Sequence, residues 1–231
     1  MDKTKLRQAK AWTEKELAVC ADFWLRNGMD KEHGGVYTCL DRYGRVYSKD
    51  KSVWMQGRCG WIFAYLCHTY GVKKEWLEAS KSCLDFMEKY CINPNADGRM
   101  YFTVTADGKP LRQRRYYFSE AFYAIANAEY YGVTGEKECL ERAKKAYNIY
   151  WDLWHGAKDP TGLGPKTEPE TRSGRAFGLP MIYLNVTSVM LRVDPENKAL
   201  YEERAQGCVD DIFKYHVHPE LHCVLENVGP N

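Results

Sequence analysis

No apolar run in this 231-residue sequence reaches membrane-spanning length, which leaves no candidate transmembrane helix. The opening residues, MDKTKLRQAKAW, lack the apolar core of a signal peptide, so the expected compartment is the cytoplasm. Neither sign of charge is in excess: 33 Lys and Arg against 31 Asp and Glu give a net charge of +2, with the basic residues dispersed. No nucleic-acid surface is expected from that balance. The nine cysteines (20, 39, 59, 67, 83, 91, 139, 208 and 223) are odd in number and form no CxxC pair. Most of them (Cys20, Cys67, Cys83, Cys139 and Cys208) fall in apolar helical patterns and read as small reduced core residues, not as disulfides or zinc ligands. His216, His218 and His222 lie close together, but on a non-helical run with no nearby cysteine pair they do not match a zinc site. GxGxxG, P-loop, GxSxG and HExxH motifs are all absent.

What is present is the composition of a soluble globular protein, 45% hydrophobic and 28% charged. The length allows one large domain or two small ones. Aromatic residues make up 14%, with 17 Tyr and 7 Trp. That suits a wide helix-lined cavity that handles a sugar, although core packing explains most aromatics equally well.

The stretch Lys51 to Gly71, KSVWMQGRCGWIFAYLCHTYG, organises the rest. Trp54, Trp61, Phe63, Ala64, Leu66 and Cys67 leave it apolar on almost every side, as in a buried inner helix. Before it, Thr4 to Asn27 has helical periodicity closed by Asn27-Gly28, and His33 to Tyr47 alternates about a Gly44 turn as a short hairpin. After it, Lys74 to Tyr90 is amphipathic. The pattern then returns: a hairpin over Gly98 to Leu111, an apolar helix over Arg115 to Tyr131 and an amphipathic helix over Lys137 to Trp154. Beyond a Pro- and Gly-rich loop (Lys158 to Gly174) come a third inner helix from about Arg175 to Arg192 and an outer one from Ala199 to Tyr215. His218 to Asn231 reads as a strand entering a new loop.

Tyr70-Gly71-Val72 and Tyr131-Gly132-Val133 are 61 residues apart (131 − 70), and a third unit closes at Leu191-Arg192-Val193 about 60 further on. Repetition at that period predicts one supersecondary unit stacked several times, each with an inner and an outer helix. Three and a half such units leave a helical toroid of six unclosed. Its inner helices are too apolar to face water on an open edge, so either the chain is an incomplete barrel or a partner covers that edge.

Three positions can carry chemistry. Arg58 is a permanent charge inside the apolar run, so it must meet either a carboxylate, as a structural ion pair, or a polar cavity that receives a ligand. Tyr116-Tyr117-Phe118-Ser119-Glu120 opens the second inner helix. By the 61-residue offset Ser119 is the counterpart of Arg58, and capping chemistry explains Ser119 and Glu120 as well as a ligand does. Asn185 is polar in an apolar helix and needs a hydrogen bond, from the core or from a ligand. His33 and His68 read as structural. Gly98 to Lys109, with two glycines, Arg99 and Lys109, is a weak anion site.

The blocks FWLRNGMDKEHGGVYTCLDRYGRV, DKSVWMQGRCGWIFAYL, GRMYFTVTADGKPLRQRRYYFSEAFYAIANAEYYGVTG, GLPMIYLNVTSVML and HPELHCVLENVGPN run in order through nearly the whole chain. Together they resemble the N-terminal part of the N-acylglucosamine 2-epimerase family, also known as renin-binding proteins. WMQGR and FSEAFYAIA are the specific blocks.

That resemblance implies an all-α (α/α)6 barrel, of which residues 1–231 form one partial domain with about seven of twelve helices and short β-hairpins between pairs. It implies an isomerase that interconverts N-acetylglucosamine and N-acetylmannosamine by removing and returning the C2 proton of the open-chain sugar. Cellobiose 2-epimerase and mannose/glucose isomerase are the alternatives within the enzyme class, and a non-catalytic sugar- or protein-binding partial barrel, as a homodimer, is the alternative outside it. Arg58 matches the family's arginine and is expected to bind sugar oxygens and stabilise the enediolate. Tyr117, Glu120, Asn185 and, in the LEN block, Glu226 are the next pocket candidates. No metal is required, and ATP is implied only as an allosteric activator, with the Gly98 to Lys109 hairpin as its one candidate place. The family's chemistry uses two histidines on opposite faces of C2, the first in a PGHxxE block downstream of LEN. None of the six histidines here stands in that context, so this chain is expected to lack the catalytic pair.

Overall fold

A computed structural model describes residues 2–114, 116–164, 167–172 and 174–229, without the side chains of Pro169 and Arg172. Arg115, expected to open the second inner helix, lies outside the described residues, as do parts of the 158–174 loop and the last two residues.

Seven long helices carry the fold: α1 (Lys3–Asn27), α2 (Val53–Tyr70), α3 (Lys74–Tyr90), α4 (Phe118–Thr134), α5 (Lys137–Trp154), then, after the one-turn α6 (Pro169–Arg172), α7 (Gly178–Val193) and α8 (Lys198–Asp211). α2 packs on α4 and α4 on α7, side by side; α3 backs α2, α5 backs α4 and α8 backs α7. This is an arc of a helical toroid with three inner helices. Sequence explains the layering. α3 and α5 are amphipathic and bury one stripe, whereas α4 is buried continuously from Ser119 to Tyr130. α1 touches α3 and buries only Ala21, so its flank beside α2 stays open.

Short strands sit at one end of the arc. β1 (Cys39–Leu40) pairs with β2 (Val46–Ser48) across the Gly44 turn, and β3 (Lys51–Ser52), β4 (Thr103–Val104) and β5 (Pro110–Arg112) form a three-stranded sheet. Lys51 and Ser52 therefore belong to a strand, and the organising helix starts two residues later than its apolar pattern suggested. Lys51 is fully buried: its ammonium reaches Asp30 at 2.7 Å, donates to the carbonyls of Gly34 and Ala106, and lies 4.1 Å from the Phe86 ring centroid. The third inner helix likewise starts at Gly178, because Arg175–Ala176 (β6) pairs with Asn227–Val228, the last strand. Between them a π-helical turn (Ile212–His216) leads into Val217–His218 (β7), which pairs with Cys223–Val224 (β8), making Asn227–Val228 β9.

The repeat is real, but its register differs from the shared Tyr-Gly-Val. Gly71 and Gly135 are the equivalent C-caps, both at positive φ (92° and 73°), giving an offset of 64 residues (135 − 71). Gly132 instead lies inside α4, where an added Cβ would come 3.1 Å from Val193 Cγ1. It serves helix approach, not termination. Gly57 does the same between α2 and α4: a Cβ there would meet the Phe122 backbone at 2.6 Å.

All nine cysteines are free thiols; six are buried, but Cys20 is exposed, against its expected core position.

Candidate functional site

Inner helices that are apolar all round expose only a narrow stripe toward the concave side. On α2 that stripe carries Met55, Arg58 and Ile62, on α4 Phe122 and Ile125, and on α7 Asn185. With Leu17 and Trp24 of α1 and Tyr37 and Thr38 beside the first hairpin, they surround a cavity of about 460 Å³. Arg58 and Asn185 are its polar groups among the inner-helix residues, and both are exposed.

The expectation that Arg58 is buried is therefore corrected. Its guanidinium carbon lies 4.3 Å from the Phe122 ring centroid, stacked on an aromatic face and not against a carboxylate. Among the described residues no ion pair to Arg58 is formed. Asn185 is likewise no core hydrogen-bonder; it stands on the cavity wall. The 64-residue register explains why these residues meet. Phe122 is the counterpart of Arg58 (122 − 58 = 64) and Asn185 follows 63 later, so all three stand at one height on neighbouring helices.

Ser119, Tyr117 and Glu120 are not brought into this cavity. Ser119 is buried and its hydroxyl donates to the Tyr101 carbonyl at 3.0 Å. Glu120 is fully buried on the side facing the second hairpin, where it accepts from Arg99 Nε at 2.7 Å and from the Met100 N–H at 2.8 Å. Burial pushes its carboxyl up, outweighing the opposing pull of Arg99 and of the backbone donor. Arg99 also pairs with Asp159 in the loop after α5 and donates to the Arg114 carbonyl. Tyr117 is half-buried beside this cluster, its ring 5.5 Å from the Arg99 guanidinium and its hydroxyl donating to the Leu153 carbonyl. Glu226 is exposed in the C-terminal loop, and its backbone carbonyl accepts from the Phe177 N–H at 2.8 Å. Of the five candidates, the structure joins Arg58 with Asn185 and puts Tyr117 and Glu120 in a structural cluster behind them.

Arg99 is thereby lost to the Gly98 to Lys109 hairpin as an anion donor, and Lys109 is paired with Asp107 at 3.0 Å. His216 is buried with Nδ1 2.8 Å from the Leu225 carbonyl, and His33 lies beside Asp30. Among the described residues lining the cavity there is no histidine.

A cluster that sequence reasoning passed over lies two turns further along the same helices. Glu129 of α4 is fully buried, with His68 Nδ1 of α2 at 3.1 Å from Oε1 and the guanidinium of Arg192 of α7 on Oε2. A lone carboxylate in the apolar run ANAEYY was its signal, of the same kind that singled out Arg58.

The family model for N-acylglucosamine 2-epimerase (GlcNAc 2-epimerase) matches residues 35–228. The chain belongs to the N-acylglucosamine 2-epimerase family. It is 34% identical over 217 residues to the N-acylglucosamine 2-epimerase of Rattus norvegicus, covering 93% of this chain and 51% of that protein. It is 30% identical to a cellobiose 2-epimerase of Ruminococcus albus over 61% of this chain and 35% of that one. The solved cellobiose 2-epimerase of Spirochaeta thermophila superposes with a TM-score of 0.75 at 22% identity, over 94% of this chain and 56% of that one. A D-mannose isomerase gives 0.70 at 19% identity, over 91% of this chain and 51% of that one. These superpositions establish the fold as part of an (α/α)6 barrel. The chain spans about half the length of the curated N-acylglucosamine 2-epimerases it matches.

Proposed function

We propose that this chain forms the sugar-holding part of an amino-sugar 2-epimerase that interconverts N-acetylglucosamine and N-acetylmannosamine. The observation that carries the reading is the placing of Arg58 and Asn185 on one concave cavity, in a chain the family model matches almost throughout. In the open-chain sugar, a base takes the C2 proton and the electron pair moves onto the C1 carbonyl oxygen, giving an enolate that keeps the acylamino group on C2. An acid on the opposite face then returns a proton to C2. Arg58 is suited to the oxygen that gains charge: its planar donors face the cavity and the Phe122 ring holds their direction. Asn185 supplies a donor and an acceptor for a hydroxyl or the acyl amide. Base and acid are assigned to no residue of this chain.

The amino-sugar substrate is preferred over cellobiose because the N-acylglucosamine enzymes match more of this chain at higher identity. The reading needs no metal, and it keeps ATP as an allosteric activator without a place among the residues described above. It sets the protein in the cytoplasm, in keeping with nine unpaired thiols. A homodimer, with a second copy over the open flank between α1 and α2, is part of the same reading. The second reading is a non-catalytic sugar- or protein-binding partial barrel, favoured by the absence of histidine among the cavity-lining residues.

Solvent deuterium incorporation at C2 of N-acetylmannosamine, followed by NMR beside a binding titration, tests these readings. The expected result is binding that Arg58→Ala weakens tenfold or more, with no incorporation by this chain. Incorporation lost in Arg58→Ala would show that the chain carries its own base and acid. Absence of any sugar binding would overturn the proposal.

A further inference from the structure

A second polar tier lies further along the inner helices. Seven residues separate Phe122 from Glu129 and Asn185 from Arg192, two helical turns or about 10.5 Å along the axis. Glu129 therefore lies below Phe122 on α4 and Arg192 below Asn185 on α7, while His68 comes ten residues after Arg58 on α2. Glu129 has no exposed surface, yet its two oxygens are taken by side chains from the two flanking helices, His68 Nδ1 at 3.1 Å and Arg192. His68 and Arg192 remain about two-fifths exposed, at 42% and 40%. Arg192 also lies 5.6 Å from the Tyr65 ring centroid, and Tyr65 stacks on the cavity-lining Trp61 at 5.3 Å.

We propose that His68, Glu129 and Arg192, with the Tyr65 ring, form a second hydrogen-bonding subsite further along the inner helices for the uncharged, hydroxyl-rich end of a sugar. The inference rests on the sugar-holding reading and extends it to residues that reading does not use. Facing a carboxylate, His68 Nδ1 must carry the hydrogen, so in the neutral ring Nε2 is left as an acceptor. Arg192 supplies donors beyond the one spent on Glu129. The Tyr65 face offers the apolar surface that sugar C–H groups pack on. The buried carboxylate cancels the arginine, so the subsite holds no surplus charge for an anion. A neutral polyol is the ligand class that its acceptor, its donors and its aromatic face match together.

Two NMR measurements on the whole chain at about pH 8 test this. The long-range proton–nitrogen spectrum of the His68 ring should show the Nδ1–H tautomer, and Glu129→Gln should remove that preference; an Nε2–H tautomer in the unmutated chain overturns the arrangement. Titration with N-acetylmannosamine should perturb the His68 ring and the Arg192 Nε signal together with Arg58. His68→Phe, which removes the Nε2 acceptor, or Glu129→Gln, which removes what orients it, each checked for a dispersed amide spectrum, should weaken binding about tenfold, the loss of one hydrogen bond. If Arg58 responds to the sugar and the His68 and Arg192 signals do not, the subsite is overturned while the sugar-holding reading stands. If nothing responds, both fall. Should Glu129→Gln unfold the chain, His68→Phe, which removes only a partly exposed ring's polar atoms, decides the binding result.

Discussion

Arg58 and Phe122, 64 residues apart in the chain, stand at the same height on adjacent inner helices with the guanidinium carbon 4.3 Å from the ring centroid. A cation on an aromatic face keeps its in-plane donors free, whereas one locked to a carboxylate does not. Because Arg58 is exposed and carries no ion pair among the described residues, Arg58→Ala is expected to leave unfolding free energy within about 1 kcal/mol of the parent. Sugar affinity should fall tenfold or more. Phe122→Leu keeps an apolar wall but removes the ring face, and should weaken the same binding by severalfold. Calorimetric titration beside a denaturation curve separates the two effects.

The Glu120–Arg99 pair predicts the reverse pattern. Both side chains are fully buried, so Glu120→Ala takes away the buried partner of the Arg99 guanidinium, leaves it only the partly exposed Asp159, and should cost roughly 3 kcal/mol of stability. Glu120→Gln should cost less, and in folded protein should leave Arg58-dependent sugar binding unchanged. A loss of binding in folded Glu120→Gln would put this carboxylate back in the site.

Stability should fall in acid through Asp30. Burial alone would raise its carboxyl, but hydrogen bonds from Lys51 and from the Glu32 and His33 N–H groups outweigh that and hold it at about 2, below the ordinary 3.8. A depressed folded-state value stabilises the fold above the unfolded value and is lost as pH drops through the folded one. The contribution of about 2 kcal/mol should therefore disappear between about pH 4 and pH 2. Urea denaturation across that window should show the loss in the parent chain and a flattened profile in Asp30→Asn, which starts lower because Lys51 is left buried without its anion.

Gly57→Ala should be among the most damaging small substitutions in the chain. Its Cβ would fall 2.6 Å from the Phe122 backbone, and a backbone contact cannot rotate away. A cost of about 3 kcal/mol or more is expected, far above the usual effect of adding a methyl group. Gly60→Ala in the same helix meets its nearest neighbours at 3.4 and 3.5 Å and should be tolerated; thermal melts of the two variants give the comparison.

The flank between α1 and α2 carries an apolar cavity wall, with Leu17 and Trp24 of α1 facing Met55 and Ile62 of α2. An environment-sensitive dye should bind the native chain at that flank and lose signal on Ile62→Glu. A sharp monomeric unfolding transition without dye binding would contradict the open flank.

Much of the architecture was legible before any coordinates. Period and amphipathicity separate the outer helices α3 and α5, with one apolar stripe each, from α2, α4 and α7, which are apolar all round. The blocks WMQGR and FSEAFYAIA carry the family. Element starts were legible less well, because Lys51–Ser52 and Arg175–Ala176 join strands whose partners lie 51 to 53 residues away (Val104 − Lys51 = 53, Val228 − Arg175 = 53, Asn227 − Ala176 = 51).

Which polar residues face the cavity was decided by tertiary structure alone. A helix with an apolar–polar contrast fixes its own rotation, since the polar side must find water. An inner helix without that contrast does not. Its rotation about its axis is set by contacts such as Gly57 against the Phe122 backbone and Gly132 against Val193. Glu120 and Glu129 sit in similar apolar surroundings nine residues apart on α4. Packing turns the first toward Arg99 behind the hairpin and sets the second between His68 and Arg192. The same sequence signal, a single charge in an apolar run, marks a structural brace in one place and a cavity residue such as Arg58 in another. Only the neighbours that the fold brings within hydrogen-bond reach distinguish them.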